Sequence, residues 1–288
     1  SIKLALIDDN GPNGSYFYLD DVLPWSVRFR PMHARRATRH PMEQMMSNNM
    51  KIALVTGATR GIGLETVRQL AAAGVHVLLA GRDASRAEQA ALQLSKAGLP
   101  VESITLDITS PASIAAAVVE VTRNFGRLDI LVNNAGVFID DFAKTPSEQS
   151  LETWRTTFDT NLFGVVAATQ AFLPLLRKSQ AGRIVNVSSG LGSLVLHADP
   201  ASPIYDFKLP AYNVSKTALN AWTVHLAHEL RHTPIKVNAI HPGSVKTDMN
   251  SSGELDIVTG AKSSVGMALL DEAGTTGSFT HLGETLPW

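Results

Sequence analysis

From Met50 onward, short runs of β-branched and other apolar residues alternate with stretches long enough for helices, and this alternation admits few architectures. The apolar runs at 52–56, 75–80, 101–106, 128–132, 183–187 and 235–240 are too short and too uniformly apolar for exposed helices. They read as strands covered on both sides. Between them, residues 61–73, 84–97, 110–124, 151–179 and 211–231 carry helical patterning, and Pro174 predicts a kink or an end within the fourth. Strand, helix and strand repeated in this way give βαβ units, whose crossovers build a parallel sheet. The expected fold is α/β: one doubly wound parallel sheet over residues 50–288 with helices on both faces. No repeat recurs at a fixed period, which argues against a solenoid.

Composition narrows the function classes. Of 288 residues, 44% are hydrophobic and 18% charged, so the chain has the means to fold. A net charge of −1 supplies no field for nucleic acid or an anionic membrane, and small-molecule partners are expected instead. The absence of cysteine removes disulfides, thiolate nucleophiles and sulfur-ligated zinc. Nine histidines show no HExxH or similar spacing, so no metal is expected. No apolar run reaches membrane-span length, and Asp8 and Asp9 cut short the apolar opening; a soluble, cytoplasmic protein is the expectation. Residues 1–49 read as an irregular extension, with Arg28, Arg30, Arg35, Arg36 and Arg39, and with Met42, Met45 and Met46. Asp8, Asp9, Asp20, Asp21 and Glu43 run against a transit peptide, and Met50 reads as the start of the folded chain.

The first strand runs directly into Thr56-Gly57-Ala58-Thr59-Arg60-Gly61-Ile62-Gly63, within which a helix begins. Glycines there permit a tight turn and let backbone approach a pyrophosphate, while the helix N-terminus offers unpaired N–H groups and partial positive charge. Gly57, Thr59, Arg60, Gly61, Ile62 and Gly63 are therefore candidate dinucleotide contacts. The GK[ST] ending of an NTP-binding loop is missing, which disfavours ATP or GTP hydrolysis. At the end of the second strand, an acid would bond a ribose 2′-hydroxyl and a base would pair with a 2′-phosphate. Arg82 stands there, with Arg60 in the turn and Arg86 a step along the helix, so NADP(H) is expected over NAD(H). Asp83 either takes the ribose or caps the next helix.

Tyr212 and Lys216 lie four apart on a strongly helical segment and so share one face. An ammonium beside a phenol stabilises the phenolate, which would bring the phenol from its usual pKa near about 10 towards acid–base work at neutral pH. Of the four tyrosines, only Tyr212 has a lysine at that spacing. Upstream, residues 184–190 end a buried strand in Ser188 and Ser189, at the edge where ligands bind in open α/β sheets. Either hydroxyl is placed to hold a carbonyl oxygen or to cap the strand end.

The turn at 56–63, followed by Asn133-Asn134-Ala135-Gly136 after the fourth strand, resembles the short-chain dehydrogenase/reductase family, over residues 50 to 288. The resemblance implies a Rossmann-type sheet and an oxidoreductase that moves hydride between NADP(H) and a carbonyl or alcohol. It implies that Asn133, Ala135 and Gly136, with Asn134, support the central sheet and lie against the cofactor, and that Asp107 and Ile108 lie near the adenine. It makes Ser189 the catalytic serine, with Ser188 as runner-up, and has Asn161 position a water beside Lys216, which also bonds the nicotinamide ribose. Pro242, Gly243, Val245 and Thr247 become the nicotinamide-facing loop, Val245 and Thr247 meeting the carboxamide.

The stretch from Leu191 to Pro210 is longer than in most members and resembles the carbonyl-reductase branch, where such an insertion occupies a helix face otherwise used between subunits. Monomer and homo-oligomer both stay open. Val137, Phe138, Ile139, Leu191, Leu194 and Met249 suggest an apolar ketone or aldehyde as substrate, or else core and lid packing. Residues 250–253 are expected to form a lid that orders on binding, followed by a short helix. A non-catalytic NADP(H)-sensing or scaffold protein of this fold is the alternative; the intact Asn161, Ser189, Tyr212 and Lys216 argue against it. An epimerase or dehydratase would need a larger C-terminal domain than the stretch after Thr247 supplies.

Overall fold

The computed structural model describes residues 16–18, 21–23 and 50–288, and the chain divides into two units, Ser1–Met46 and Ser47–Trp288. In the first, Tyr16–Tyr18 and Asp21–Leu23 pair antiparallel, with Tyr16 opposite Leu23 and Phe17 opposite Val22. This corrects the expectation of an irregular chain at those positions: aromatic and β-branched residues favour a pleated ribbon over coil. The rest of that expectation lies outside the described residues.

The second unit runs β1 (Ile52–Val55), α1 (Gly61–Ala72), β2 (His76–Gly81), α2 (Ala84–Lys96), β3 (Val101–Thr105), α3 (Pro111–Asn124) and β4 (Ile130–Asn133). It continues through α4 (Leu151–Phe158), α5 (Val165–Leu176), β5 (Arg183–Val187), α6 (Leu194–Ala198), α7 (Pro210–Glu229), β6 (Lys236–Ile240), α8 (Ile257–Ala268), β7 (Phe279–His281) and β8 (Glu284–Thr285). The strands order as β3-β2-β1-β4-β5-β6-β7-β8, all parallel except β8, which turns back antiparallel on β7. Strand order reverses between β1 and β4, and the crevice at their C-terminal ends is where such sheets bind ligands.

The period of two along each strand divides the core in two. Ile52 and Leu54 of β1, Leu78 of β2 and Leu131 of β4 face one layer, with Phe172 of α5 and Leu219 of α7. Ala53 and Val55, Val77 and Leu79, and Ile130 and Val132 face the other, against Val67 and Leu70 of α1 and Met267 of α8. Every strand that carries the site is thus fixed from both sides.

Two departures from the sequence reading matter for function. The predicted helix over 151–179 is interrupted, but not at Pro174, which stays inside α5; a π-helical segment, Asp159–Gly164, separates α4 from α5. Gly164 sits so close to Ile108 that a Cβ would lie 2.9 Å from the Ile108 carbonyl oxygen. The wider π turn re-aims the side chain between these contacts, that of Asn161. Residues 250–253 are already a tight turn: Thr247 and Asn250 exchange backbone hydrogen bonds at 3.0 and 3.1 Å, and the Ser244 carbonyl accepts from both Glu254 and Leu255. The helix that follows, α8, is a full 12 residues. Among the described residues no helix is long and apolar enough to cross a membrane.

Candidate active site

The glycine turn is built around a buried hydroxyl. Thr56 Oγ1 accepts the N–H groups of Asn134 and Ala135, both at 3.0 Å, while Asn134 Nδ2 donates to the carbonyls of Thr56 and Gly57 at 2.9 and 3.1 Å. Asn134 therefore holds the turn rather than pointing away from it. Gly57 has φ +62, and a Cβ on it would meet the Ala135 Cα at 2.7 Å. The turn and the loop after β4 are in contact. Arg60 stands at the α1 N-cap with no side-chain cap bond. Its Nη1 lies 2.6 Å from Asp248 Oδ2, joining the turn to the loop after β6. Thr247 hangs over the same turn, its Cγ2 being the nearest atom, at 3.9 Å, to a Cβ placed on Gly61.

These features fit a dinucleotide with a 2′-phosphate. A cavity of about 200 Å³ between the turn and α2 is lined by Thr59, Arg60, Arg86 and Gln89. Asp83 caps α2, accepting from the Arg86 N–H at 3.1 Å and lying 3.4 Å from Arg86 Nε. Arg82 is exposed. Asp107 turns onto its own loop: the Thr109 hydroxyl and N–H, at 2.7 and 2.9 Å, hold its carboxyl below the usual range, with help from the Arg82 charge. Ile108 is buried against Gly164. A larger cavity of about 340 Å³, lined by Gln180, Arg231, Thr233, Lys236 and Glu272, lies at the opposite end of the strands and has no part in this chemistry.

The crevice continues to the ends of β4 and β5. Ser188 and Ser189 have separate surroundings. Ser188 donates to Asn220 Oδ1 at 2.6 Å inside the core. Ser189 accepts from the Leu191 N–H at 3.2 Å and bonds the Tyr212 hydroxyl. Lys216 is buried, donates to the Val187 carbonyl at 2.8 Å, and has its Nζ 5.6 Å from the Tyr212 ring centroid. Gly136 lies between Lys216 and Asn161; a Cβ there would be 3.6 Å from Lys216 Nζ and 3.3 Å from Asn161 Oδ1. Asn161 is wholly buried, grips Val137 through both its N–H and its carbonyl at 2.8 and 2.9 Å, and donates to Ser215 at 3.0 Å. Its amide is thus engaged with Val137 and Ser215.

Burial decides the electrostatics, and against the sequence-based expectation. It pushes the Tyr212 phenol up to about 12, outweighing the Ser189 hydrogen bond, and pushes the Lys216 ammonium down to about 8. Loss of hydration disfavours the charged form of both groups at once. His241, at the start of the 241–247 loop, is driven down to about 4 by burial and then by His281, whose ring lies 5.2 Å away. In that loop Gly243 has φ +93, and the Val245 side chain is buried against Gly260, leaving backbone as its means of contact with any ligand.

The apolar candidates lie on the segments leaving β4, β5 and β6. Ile139, Leu194 and Met249 are exposed, as are Phe142, Val195 and Phe207. The inserted stretch is braced within itself and tied both to α7, where Asn213 bonds His197 and the Phe207 carbonyl and Thr217 bonds the Gly192 carbonyl, and to Trp288. His197 Nε2 lies 3.0 Å from the Leu191 carbonyl, and the Trp288 carbonyl accepts from the Val195 N–H at 3.1 Å and from the Ser193 hydroxyl at 3.2 Å. Asp140, Asp248 and Trp288 escaped the sequence reading, and Thr56 was read only as the start of the glycine turn, because each acts through a partner distant in the chain.

This fold and site define a nicotinamide-dependent oxidoreductase, and residues 51–257 match the family described as short chain dehydrogenase: the chain belongs to it. It is 35% identical to short-chain dehydrogenase/reductase 1 of Saponaria officinalis, covering 83% of this chain and 96% of the relative. It is 37% identical to (+)-neomenthol dehydrogenase of Arabidopsis thaliana, over 80% of this chain and 95% of that one. Among solved structures, NADPH-bound carbonyl reductase from chicken fatty liver superposes with a TM-score of 0.72 at 29% identity, covering 83% and 94% of the two chains.

Proposed function

We propose that residues 50–288 reduce an apolar ketone or aldehyde with NADPH, Tyr212 giving the proton and Ser189 helping to hold the carbonyl oxygen. The observation that carries this reading is the Ser189–Tyr212 hydroxyl pair at the end of β5 with the Lys216 ammonium beside it. Bound NADPH supplies the hydride. Burial keeps Tyr212 protonated, and as its proton leaves, Lys216 offsets the negative charge that develops on the phenol oxygen. Ser189 donates to the same substrate oxygen. Asn161 acts by fixing Val137 and Ser215 around the lysine. Arg60, Arg82 and Arg86 take the 2′-phosphate, and the loop containing Pro242, Gly243, Val245 and Thr247 takes the nicotinamide end.

The apolar substrate is supported by Ile139, Phe142, Leu194, Val195, Phe207 and Met249, exposed apolar side chains on the segments that leave β4, β5 and β6. Relatives named neomenthol dehydrogenase and isopiperitenone reductase point to alicyclic ketones. We place the reaction in the cytoplasm, in keeping with the acidic residues dispersed through 1–49.

The test is the initial rate of NADPH consumption with alicyclic and aromatic ketones and aldehydes, repeated with NADH and with Arg82→Ala. A guanidinium–phosphate contact contributes about 1.5–3 kcal/mol, so the variant should raise KM for NADPH by about 10- to 100-fold and leave NADH little changed. A wild-type preference for NADH would overturn the cofactor assignment. Tight NADPH binding without turnover on any carbonyl would overturn the enzymatic one.

A further inference from the structure

Helix α7 carries Tyr212 and Lys216, yet it opens without a cap of its own: Leu209 at the N-cap has no side-chain acceptor, and Pro210 follows. Pro210 has no N–H, and the Asn213 N–H bonds the Leu209 carbonyl at 2.8 Å. Two first-turn donors remain, on Ala211 and Tyr212, and buried donors of this kind need a partner. Both are met by one side chain from far upstream. Asp140 Oδ1 accepts from Ala211 at 2.8 Å and Oδ2 from Tyr212 at 3.0 Å, and Asp140 is only 6% exposed.

The segment bearing Asp140 is tied on both sides, and downstream Gln149 bonds the N–H and the carbonyl of Asp141 at 3.1 and 2.6 Å. Asn161 grips the N–H and the carbonyl of Val137, and the Phe138 ring stands edge-on to the Tyr212 ring with centroids 5.1 Å apart. An ordinary N-cap belongs to its own helix and moves with it. Asp140 belongs to the loop leaving β4, so its two bonds fix the first turn of α7 to the sheet edge at which hydride transfer occurs.

We propose that Asp140 is a positioning residue for Tyr212, its carboxylate setting the height and rotation of the α7 first turn so that the phenol meets Ser189 and the substrate oxygen. The inference rests on Tyr212 being the proton donor.

Asp140→Asn tests it. The amide keeps one acceptor but turns an NH₂ towards a backbone N–H, so one bond is replaced by a donor–donor contact. Misplacing a reacting group by a fraction of an ångström is costly, and kcat should fall by about 10- to 100-fold. NADPH affinity, read by nicotinamide fluorescence, should stay within about twofold, because the defect acts on the chemical step and not on cofactor binding. An unchanged kcat overturns the inference, as does a kcat loss matched by equal losses of NADPH affinity and Tm. Should the Asn variant not fold, Asp140→Glu replaces it. Its longer arm shifts both acceptors: reduced kcat with unchanged NADPH affinity supports positioning, and unchanged kcat overturns it. Tyr212→Phe run alongside separates the two readings. Full activity there removes Tyr212 as donor, whereas an inactive Tyr212→Phe beside a fully active Asp140→Asn removes only the role of Asp140.

Discussion

Tyr212→Phe should lower kcat/KM for carbonyl reduction by about 10²- to 10⁴-fold, the usual contribution of a positioned general acid. The loss should fall on kcat, with NADPH affinity unchanged, because the hydroxyl meets Ser189 and the substrate oxygen and not the phosphate-binding turn. Packing should survive. The ring remains edge-on to Phe138, and the backbone N–H still bonds Asp140. Stopped-flow measurement of NADPH oxidation at saturating ketone checks the prediction, and a variant within tenfold of wild type would sink the assignment.

The same pair predicts opposite pH profiles for the two directions. Reduction needs the phenol protonated and the lysine charged. Burial holds the phenol near about 12, so the first condition is met throughout the working range, and the limit comes from Lys216, which loses its charge at about 8. The reduction rate should therefore be level below that value and fall as pH rises through it. Alcohol oxidation needs the phenolate and should climb with pH across the same range. Initial rates in both directions across this range decide it; reduction that accelerates with rising pH would show that another group controls the proton.

What the chain disclosed before folding was whatever depends on neighbours in sequence. The β1–α1 turn was legible because its glycines, the strand before it and the helix after it are contiguous. Tyr212 and Lys216 were legible because a helix brings residues four apart onto one face. The π turn at Asp159–Gly164 was not, since it is imposed by Asn161 reaching Val137 and by Gly164 pressing on Ile108. Nor was Asp140, whose two partners lie 71 and 72 residues on, or Asp248, which is 188 residues from Arg60. The cation four residues from Tyr212 is visible in sequence, whereas the burial that pushes the phenol up is not. The 250–253 stretch looked mobile from its Ser and Gly content, yet Asn250 exchanges backbone bonds with Thr247 and accepts from the Gly253 N–H. Strand β7 is three residues long, too short for any periodicity to show.

The glycine turn yields the other large effect, and it separates two reasons for a glycine. Gly63→Ala places a Cβ 2.4 Å from Asn134 Nδ2, 2.9 Å from the Gly57 carbonyl oxygen and 3.0 Å from the Ala58 Cα. The Asn134 amide can swing aside only by giving up its bonds to Thr56 and Gly57, and the other two atoms are backbone of the turn itself. The turn must move. Overpacking of this kind costs about 1–3 kcal/mol of stability. A shift of about 1 Å where backbone meets pyrophosphate should raise the NADPH Kd by about 100-fold. Gly61→Ala is the control: its φ of +57 strains an alanine by about 1–2 kcal/mol, but the nearest atom to the new Cβ, Thr247 Cγ2, is 3.9 Å away, so the turn can stay in place. NADPH titrations of both variants should show a large loss for Gly63→Ala and a change within tenfold for Gly61→Ala. Equal losses would mean that backbone conformation, not close approach to Asn134, is what the turn requires of its glycines.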